Sequence, residues 1–471
     1  MALLKGDPRT AIRRLSGPLI ISMLLLSAFN IVDAIWVAGL GEEALAAVGL
    51  AFPLYMIMVG CGEGLGVGVG TAIARRIGRN DRDEADGAAA QGMLLAALLA
   101  VVFTLSVLLF SDTIFGLFGE GEAAVLAAEY ATIIFGASTI VFFSELAYGV
   151  LKGEGDTGRV MQVIVAAEVI NFLLDPVLIY GAGMGVAGAA WATVISLVVE
   201  FLVMIFWFVV RKDTYVTLSL RRTPVRWPVV SEIVRVSIPN TLGCFLVSGT
   251  VVVINAILTS IAGDAAIAVY TSGWRVVTFA LVPLFAISSA VMMVAGAAVG
   301  ARLYQRVEEV FRYAVRLGVG IGVLMSVGVF LFAPQITLIF TYSEACAAIA
   351  PEIVAFLRTV CLFFPAVPLG VMAGAFFMAS GRGTASLIVT SLGVGMVGGL
   401  AYLFGNVMGL GVDGVWWGIV VGEVLGNAAG FLWMRHDLET LAVRREEREY
   451  AATAGRSPSA RTAAPARQSD L

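Results

Sequence analysis

Two aspartates stand in surroundings that suit ion chemistry. Asp33 closes the run Asn30-Ile-Val-Asp33, and Asp175 sits in Asn171-Phe-Leu-Leu-Asp175-Pro176. On a helix, Asn171 and Asp175 share a face at i, i+4, and Glu168 continues that face one turn back. Pro176 has no N–H to offer the carbonyl of Phe172 and leaves that acceptor free. Carboxylate, amide and hydroxyl oxygens are what a hard cation prefers, by analogy with Ca²⁺ and Mg²⁺. Asp33, Asn171, Asp175 and the hydroxyl of Thr193 would form such a set for Na⁺. Two neighbouring carboxylates also disfavour a second charge and so can hold a proton. The alternative role is structural, each Asp joining helices.

Other chemistries lack their residues. The single histidine, His436, lies past the last apolar run, which excludes a histidine relay or metal site within those runs. Cys61, Cys244, Cys346 and Cys361 show no CxxC spacing, so neither a disulfide nor a metal cluster is expected. An intramembrane aspartyl protease would need its second Asp after Gly-x-Gly, whereas Asp175 follows Phe172-Leu-Leu. No Gly-x-x-x-x-Gly-Lys loop is present for ATP. The expectation is a transporter rather than an enzyme, with no cofactor beyond a bound Na⁺ and no nucleic-acid partner.

The elements that must position these groups follow from composition. Of 471 residues, 59% are hydrophobic and 14% charged, with a mean hydropathy of +0.93. Soluble domains carry roughly 45–50% apolar and about 25% charged residues. Apolar runs long enough for a bilayer core of about 30 Å follow one another at 15–38, 44–74, 88–111, 123–151, 160–181, 187–210, 232–260, 265–300, 313–334, 345–379, 384–408 and 412–434. All are too long and unbroken for strands. The fold class expected is all-α integral membrane, with twelve transmembrane helices in two pseudo-symmetric six-helix lobes. The first run follows a polar start, Lys5 to Arg14, and is not expected to be a cleaved signal.

At about 1.5 Å per residue, Asp33, Asp175 and Thr193 each lie about 9 Å below the outer ends of their helices, and Tyr130 about 10 Å. Four polar groups on four helices thus share one layer. Asn30, Glu168 and Tyr130 are candidates for the adjoining substrate cavity. Arg275 and Arg358 lie inside the eighth and tenth runs, where each would pair with a carbonyl or carboxylate or line a cavity. The many Met and Phe residues would supply packing, lipid contact and a soft cavity lining.

Charge fixes the expected orientation. The odd-numbered connections, near 39–43, 110–122, 182–186, 261–264, 335–344 and 409–411, contain no Lys or Arg. The even ones are basic: Arg75, Arg76, Arg79 and Arg82; Lys152 and Arg159; Arg211 to Arg226; Arg302, Arg306 and Arg312; Arg382. The positive-inside rule then places both termini in the cytoplasm, with the chain in the cell membrane among its lipids.

An internal repeat organises the chain. Leu15-Ser-Gly-Pro18 answers Val236-Ser-Ile-Pro239, Gly41-Glu-Glu-Ala-Leu-Ala answers Gly263-Asp-Ala-Ala-Ile-Ala, Gly78 answers Gly300, and Glu122 answers Glu344. Later, Met184-Gly-Val-Ala-Gly answers Leu410-Gly-Val-Asp-Gly. The halves run parallel, a common transporter plan with substrate between bundles. The divisions expected are an amino-terminal lobe (1–210), a cytoplasmic linker (211–231), a carboxy-terminal lobe (232–436) and a largely disordered tail (437–471), helical at first to about Arg448. The repeat does not extend to the polar layer. Asp33 meets Ile254 or Asn255, Asn171 meets Val397, Asp175 meets Ala401 and Thr193 meets Ile419.

Gly17-Pro18 with Asp33 beyond it, Gly153-Glu-Gly-Asp-Thr157, and above all Asn171-Phe-Leu-Leu-Asp-Pro-Val-Leu-Ile-Tyr-Gly181 running to Met184-Gly-Val-Ala-Gly-Ala-Ala-Trp-Ala-Thr193 carry a resemblance. Over about residues 10–435 the chain resembles the multidrug and toxic compound extrusion (MATE) transporters, closest to archaeal-type members of the damage-inducible branch. The resemblance implies two six-helix lobes around a cleft that opens alternately to each side. It also implies efflux of amphipathic, often cationic compounds driven by Na⁺ or H⁺; a monomer is expected. It places the cation site on Asp33, Asn171, Asp175 and Thr193 with Tyr130 close by, and a moving bend at Pro18. The carboxy-lobe acidic pair of another branch has no match in the seventh and tenth runs, so coupling is expected in the amino lobe. A lipid-linked precursor or polysaccharide flippase of the same superfamily is the alternative within transport; it would be expected to have extra helices and a basic cavity.

Overall fold

Apolar runs without strand signals fold here as helices throughout. The computed structural model describes residues 2–116, 121–218, 225–338 and 349–454, and all regular structure among them is helical. Ten helices are long and apolar enough to cross a membrane, and two bent pairs bring the number to twelve. In chain order they are α1 (Pro8–Ala38), α2 (Glu42–Gly78), α3 (Arg82–Gly116), the pair α4a (Glu122–Gly136) and α4b (Ser138–Glu154), α5 (Thr157–Pro176), α6 (Gly185–Ile205), α7 (Trp227–Ala262), α8 (Asp264–Gly300), α9 (Tyr304–Thr337), the pair α10a (Ala350–Val360) and α10b (Val367–Ala379), α11 (Gly383–Tyr402) and α12 (Gly411–Ala454). The chain is a multi-pass membrane protein.

The two halves pack by one scheme. In the amino-terminal half α1 packs on α5, α2 on α4b, α3 on α4b and α5 on α6. In the carboxy-terminal half α7 packs on α11, α8 on α10b, α9 on α10b and α11 on α12. Between halves α2 lies along α7 and α1 along α8, contacts that a two-fold rotation would exchange, and α2 also meets α8. The breaks repeat as well, with bends of 50° in α4 and 51° in α10. After α5 the chain continues in a wide π turn, Val177–Gly181, and after α11 in another, Leu403–Val407. A glycine faces each turn. A Cβ on Gly188 would sit 2.8 Å from the Leu178 carbonyl, and one on Gly414 would sit 2.6 Å from the Phe404 carbonyl.

Several expectations change in detail. Arg75 and Arg76 do not belong to a solvated connection; they lie inside α2 and are buried. The described part of the expected linker packs against the amino-terminal half. Thr214 and Val216 are buried, and the amides of Tyr215 and Val216 donate to the Glu154 carboxylate at 3.0 and 2.7 Å. α7 already begins at Trp227. The last helix continues past Arg448 to Ala454. Glu344 and Cys346, part of the linker and the end of the tail lie outside the described residues. Cys61, Cys244 and Cys361 are free thiols.

Candidate functional site

The α1–α5 contact is built from aromatic rings. Phe29 and Trp36 of α1 meet Phe172 of α5 at centroid distances of 5.9 and 6.4 Å, and Tyr180 donates from its hydroxyl to the Trp36 carbonyl at 2.5 Å. This clasp fixes the rotation of both helices, and the rotation sets Asp33 against Asp175. The two carboxyl groups come within hydrogen-bonding reach of each other. Asp175 is 1% exposed, and Asp33 is half-buried.

One oxygen of each, Asp33 Oδ1 and Asp175 Oδ1, is sealed from solvent without a donor. Two carboxylates facing each other offer only acceptors, so a proton or a cation between them is what would complete the contact. Two of the expected ligands, one on α5 itself and one on α6, have polar atoms of the right kind. Asn171 brings a buried amide whose Nδ2 has no acceptor. Thr193 donates its hydroxyl proton to the Ala189 carbonyl at 3.1 Å, which leaves its oxygen lone pairs available. Among the described residues no group of three His, Cys, Asp or Glu side chains is arranged for a metal ion. Facing carboxyl oxygens of this kind can hold a proton or accept a cation.

The other candidates divide. Tyr130 of α4a lies within electrostatic reach of both Asp33 and Asp175, and Glu168 within reach of Asp33. Asn30 is exposed, and its amide donates to the Leu26 carbonyl of its own helix at 2.7 Å. Arg275 is exposed on α8, in the other half of the chain, and is not drawn into the set. Arg358 is exposed too, with its guanidinium 5.4 Å over the Phe330 ring and a 3.4 Å contact to the Phe330 carbonyl. Pro18 lies within an unbroken α1.

Sequence reasoning missed several acidic neighbours. Tyr55 of α2 lies within reach of Asp33, Glu168, Glu145 and Glu200, and Tyr148 donates to the buried Glu200. Glu63 and Glu145 line a cavity of about 480 Å³ between the two halves, with Lys152 from the first half and Asn240 and Ser288 from the second. Met23, Met292, Met293 and Met378 also line it, so here the expected soft lining can be assigned to particular residues. The period of an α-helix would have shown that Glu145 and Lys152 share a face, but not what that face meets.

Comparison with known proteins matches this architecture. The profile of the MatE family matches residues 18–177 and 239–403. The two matches begin at Pro18 and Pro239, the prolines of the internal repeat, and end where the two π turns begin. The multidrug export protein MepA of Staphylococcus aureus (strain bovine RF122 / ET3-1) is 26% identical over 426 residues, covering 90% of this chain and 92% of that protein. A crystal structure of a MATE in complex with MaL6 superposes with a TM-score of 0.92 at 39% identity, covering 94% of this chain and 98% of that one. A transporter of the MOP superfamily from Pyrococcus furiosus, described by the reverse polarity of its binding pocket, gives 0.90 at 39% identity, with 94% and 98% covered. Two matched halves, twelve spans and the shared fold agree, and the chain belongs to the MatE family, whose members are transporters and not enzymes.

Proposed function

We propose that this chain exports amphipathic, often cationic small molecules by alternating access, driven by inward movement of H⁺ or Na⁺ through the amino-terminal half. The observation that carries the proposal is the Asp33–Asp175 contact, two carboxyl groups on separate helices with a sealed, donorless oxygen each. Asn171 and Thr193 complete the cation set, and Tyr130 and Glu168 flank it. Charging or neutralising the pair changes what α1 and α5 repel, and α1 also lies along α8 of the other half. Pro18 lacks the N–H that would tie α1 to its preceding turn, so a bend of α1 is placed there. Asn30 is assigned to the cavity mouth and Arg275 to the substrate path.

Substrate is assigned to the cavity between the halves. Its methionines offer adaptable apolar contact, and Glu63 and Glu145 offer negative charge to a cationic centre. A lining with two carboxylates and one lysine suits a cation better than the phosphate of a lipid-linked precursor. The name of MepA, a multidrug export protein, supports drug-like substrates. One elementary charge moved through 100 mV supplies about 2.3 kcal/mol, roughly a fortyfold gradient of a neutral substrate.

We place the lobe boundaries at 1–210 and 232–436, both termini in the cytoplasm, and the protein as a monomer among membrane lipids. The 39% identity to a Pyrococcus furiosus transporter supports the archaeal-type branch. The test is drug efflux measured in everted vesicles under separately imposed Na⁺ and H⁺ gradients. Efflux that responds to one of them is expected; efflux indifferent to both would refute the proposal.

A further inference from the structure

The end of α2 that carries the basic connections holds two arginines where the interior is otherwise apolar. Arg75 and Arg76 are each 4% exposed. Burying a guanidinium is unfavourable unless its hydrogen bonds and its charge are answered. Both find one carboxylate in the other half, Glu232 of α7, and Arg76 Nε also lies 3.8 Å from Glu84 Oε2 of α3. Arg75 donates from Nε and Nη2 to Glu232 Oε1 at 3.0 and 2.8 Å, and Arg76 donates from Nη2 to Oε2 at 2.8 Å. Arg75 Nη1 also reaches the carbonyls of Ala379 and Met378, at 3.0 and 3.4 Å, at the end of α10b. These two carbonyls sit at the negative end of that helix, where a cation is favoured. Each of these Arg75 partners lies in the carboxy-terminal half.

Two further observations give this cluster a role. First, Met378 lines the cavity between the halves and also accepts from Arg75, so the ion cluster lies directly beneath that cavity. At the same level the α2 and α8 backbones touch. A Cβ on Gly78 would fall 1.9 Å from the Ala297 carbonyl, and one on Gly300 would fall 1.8 Å from the Arg75 carbonyl. Second, the cluster breaks the repeat. The register that pairs Gly78 with Gly300 sets Arg75 and Arg76 opposite Ala297 and Ala298, and Glu232 opposite Thr10. α8 packs along α1 without this ion cluster, so the helix crossing itself does not demand one.

We infer that Arg75, Arg76 and Glu232 are positioning residues for transport, a three-charge clamp that holds the basic end of the molecule shut beneath the substrate cavity. The inference rests on the alternating-access reading. Opening this end separates α2 from α7 and α10b, and both guanidinium groups must then exchange Glu232 for water. Burial makes the closed clamp sensitive to loss of Glu232, because Glu232→Gln leaves Arg75 without a counter-ion and Arg76 with only the more distant Glu84.

Spin labels at Asp83 and Arg302, both exposed and on opposite halves at this end, would report the opening by double electron–electron resonance in lipid nanodiscs. In the otherwise unchanged chain two distances are expected, with their populations moving with pH or Na⁺. Glu232→Gln is expected to raise the longer-distance population several-fold, and Glu232→Asp to restore most of the short one. A second distance that appears only in Glu232→Gln also supports the clamp. An unchanged distribution in Glu232→Gln overturns it, whatever the parent shows. A single distance in the parent under all ions counts instead against alternating access. If Glu232→Gln does not insert, Arg76→Gln takes its place, with the same two outcomes.

Discussion

Exchanging a carboxylate for its amide keeps the shape and removes the ability to change charge, so Asp33→Asn and Asp175→Asn isolate what the pair does. Each is expected to abolish gradient-driven efflux in proteoliposomes while the protein still inserts and binds substrate. Asn171→Ala and Thr193→Ala remove neutral oxygens and should weaken coupling less. Wild-type rates and ion dependence in both Asp variants would move coupling elsewhere, with Glu168 and Glu423, the α12 carboxylate that accepts from Asn427 at 2.9 Å, next to test. In the cavity, Glu63→Gln should raise KM for a cationic drug about two- to fivefold, the scale of one exposed charge contact, and leave a neutral substrate's KM unchanged. Equal effects on both would make Glu63 a packing residue. The aspartates were legible in the sequence because charges are rare in apolar runs. Glu63 and Glu145 were not singled out, because their significance depends on helix rotation, and the Phe29–Phe172–Trp36 clasp that sets such rotations consists of ordinary-looking apolar residues.

Two helices that look continuous in the hydropathy pattern are bent by 50° and 51°. The α10 break contains Pro365, which removes a backbone donor and is a readable signal. The α4 break at Ala137 has only Gly136 beside it, and the hydropathy there does not change. The π turn after Pro176 was only half legible: the freed carbonyl was expected, the widened turn was not. That turn makes a sharp prediction. Gly188→Ala forces a methyl group to within 2.8 Å of the Leu178 carbonyl, and overpacking of this kind costs about 1–3 kcal/mol. A lowered Tm is expected in detergent, together with weaker ion dependence, because the turn begins two residues after Asp175. The matching Gly414→Ala should lower Tm similarly and leave ion dependence intact. If the two variants behave alike in transport, the turn after α5 has no part in coupling.

Across the whole molecule, the spans and the repeat were the most legible features, since both are written in periodic hydropathy over hundreds of residues. The contacts between halves were not, and Arg75 and Arg76 were counted with the loops because charge pattern alone cannot see burial. Orientation can be checked directly. In a background free of native cysteines, Cys at Glu43 should react with an impermeant maleimide added outside intact cells, and Cys at Asp81 should be protected. The reverse pattern would invert the assignment. Six spans per half also carry a historical consequence. A half that starts and ends on the same side can insert alone and pair with its copy, so a gene encoding one half could have served as a homodimer with two identical carboxylate pairs. Fusion into one chain would free the copies to diverge, and Ile419, Ala401 and Val397 stand where the second pair's partners would be, with the buried Asn255 oxygen a polar group near the position of its other carboxylate. A chain rebuilt from two amino-terminal halves would regain the duplicate and should carry twice the ions per turnover.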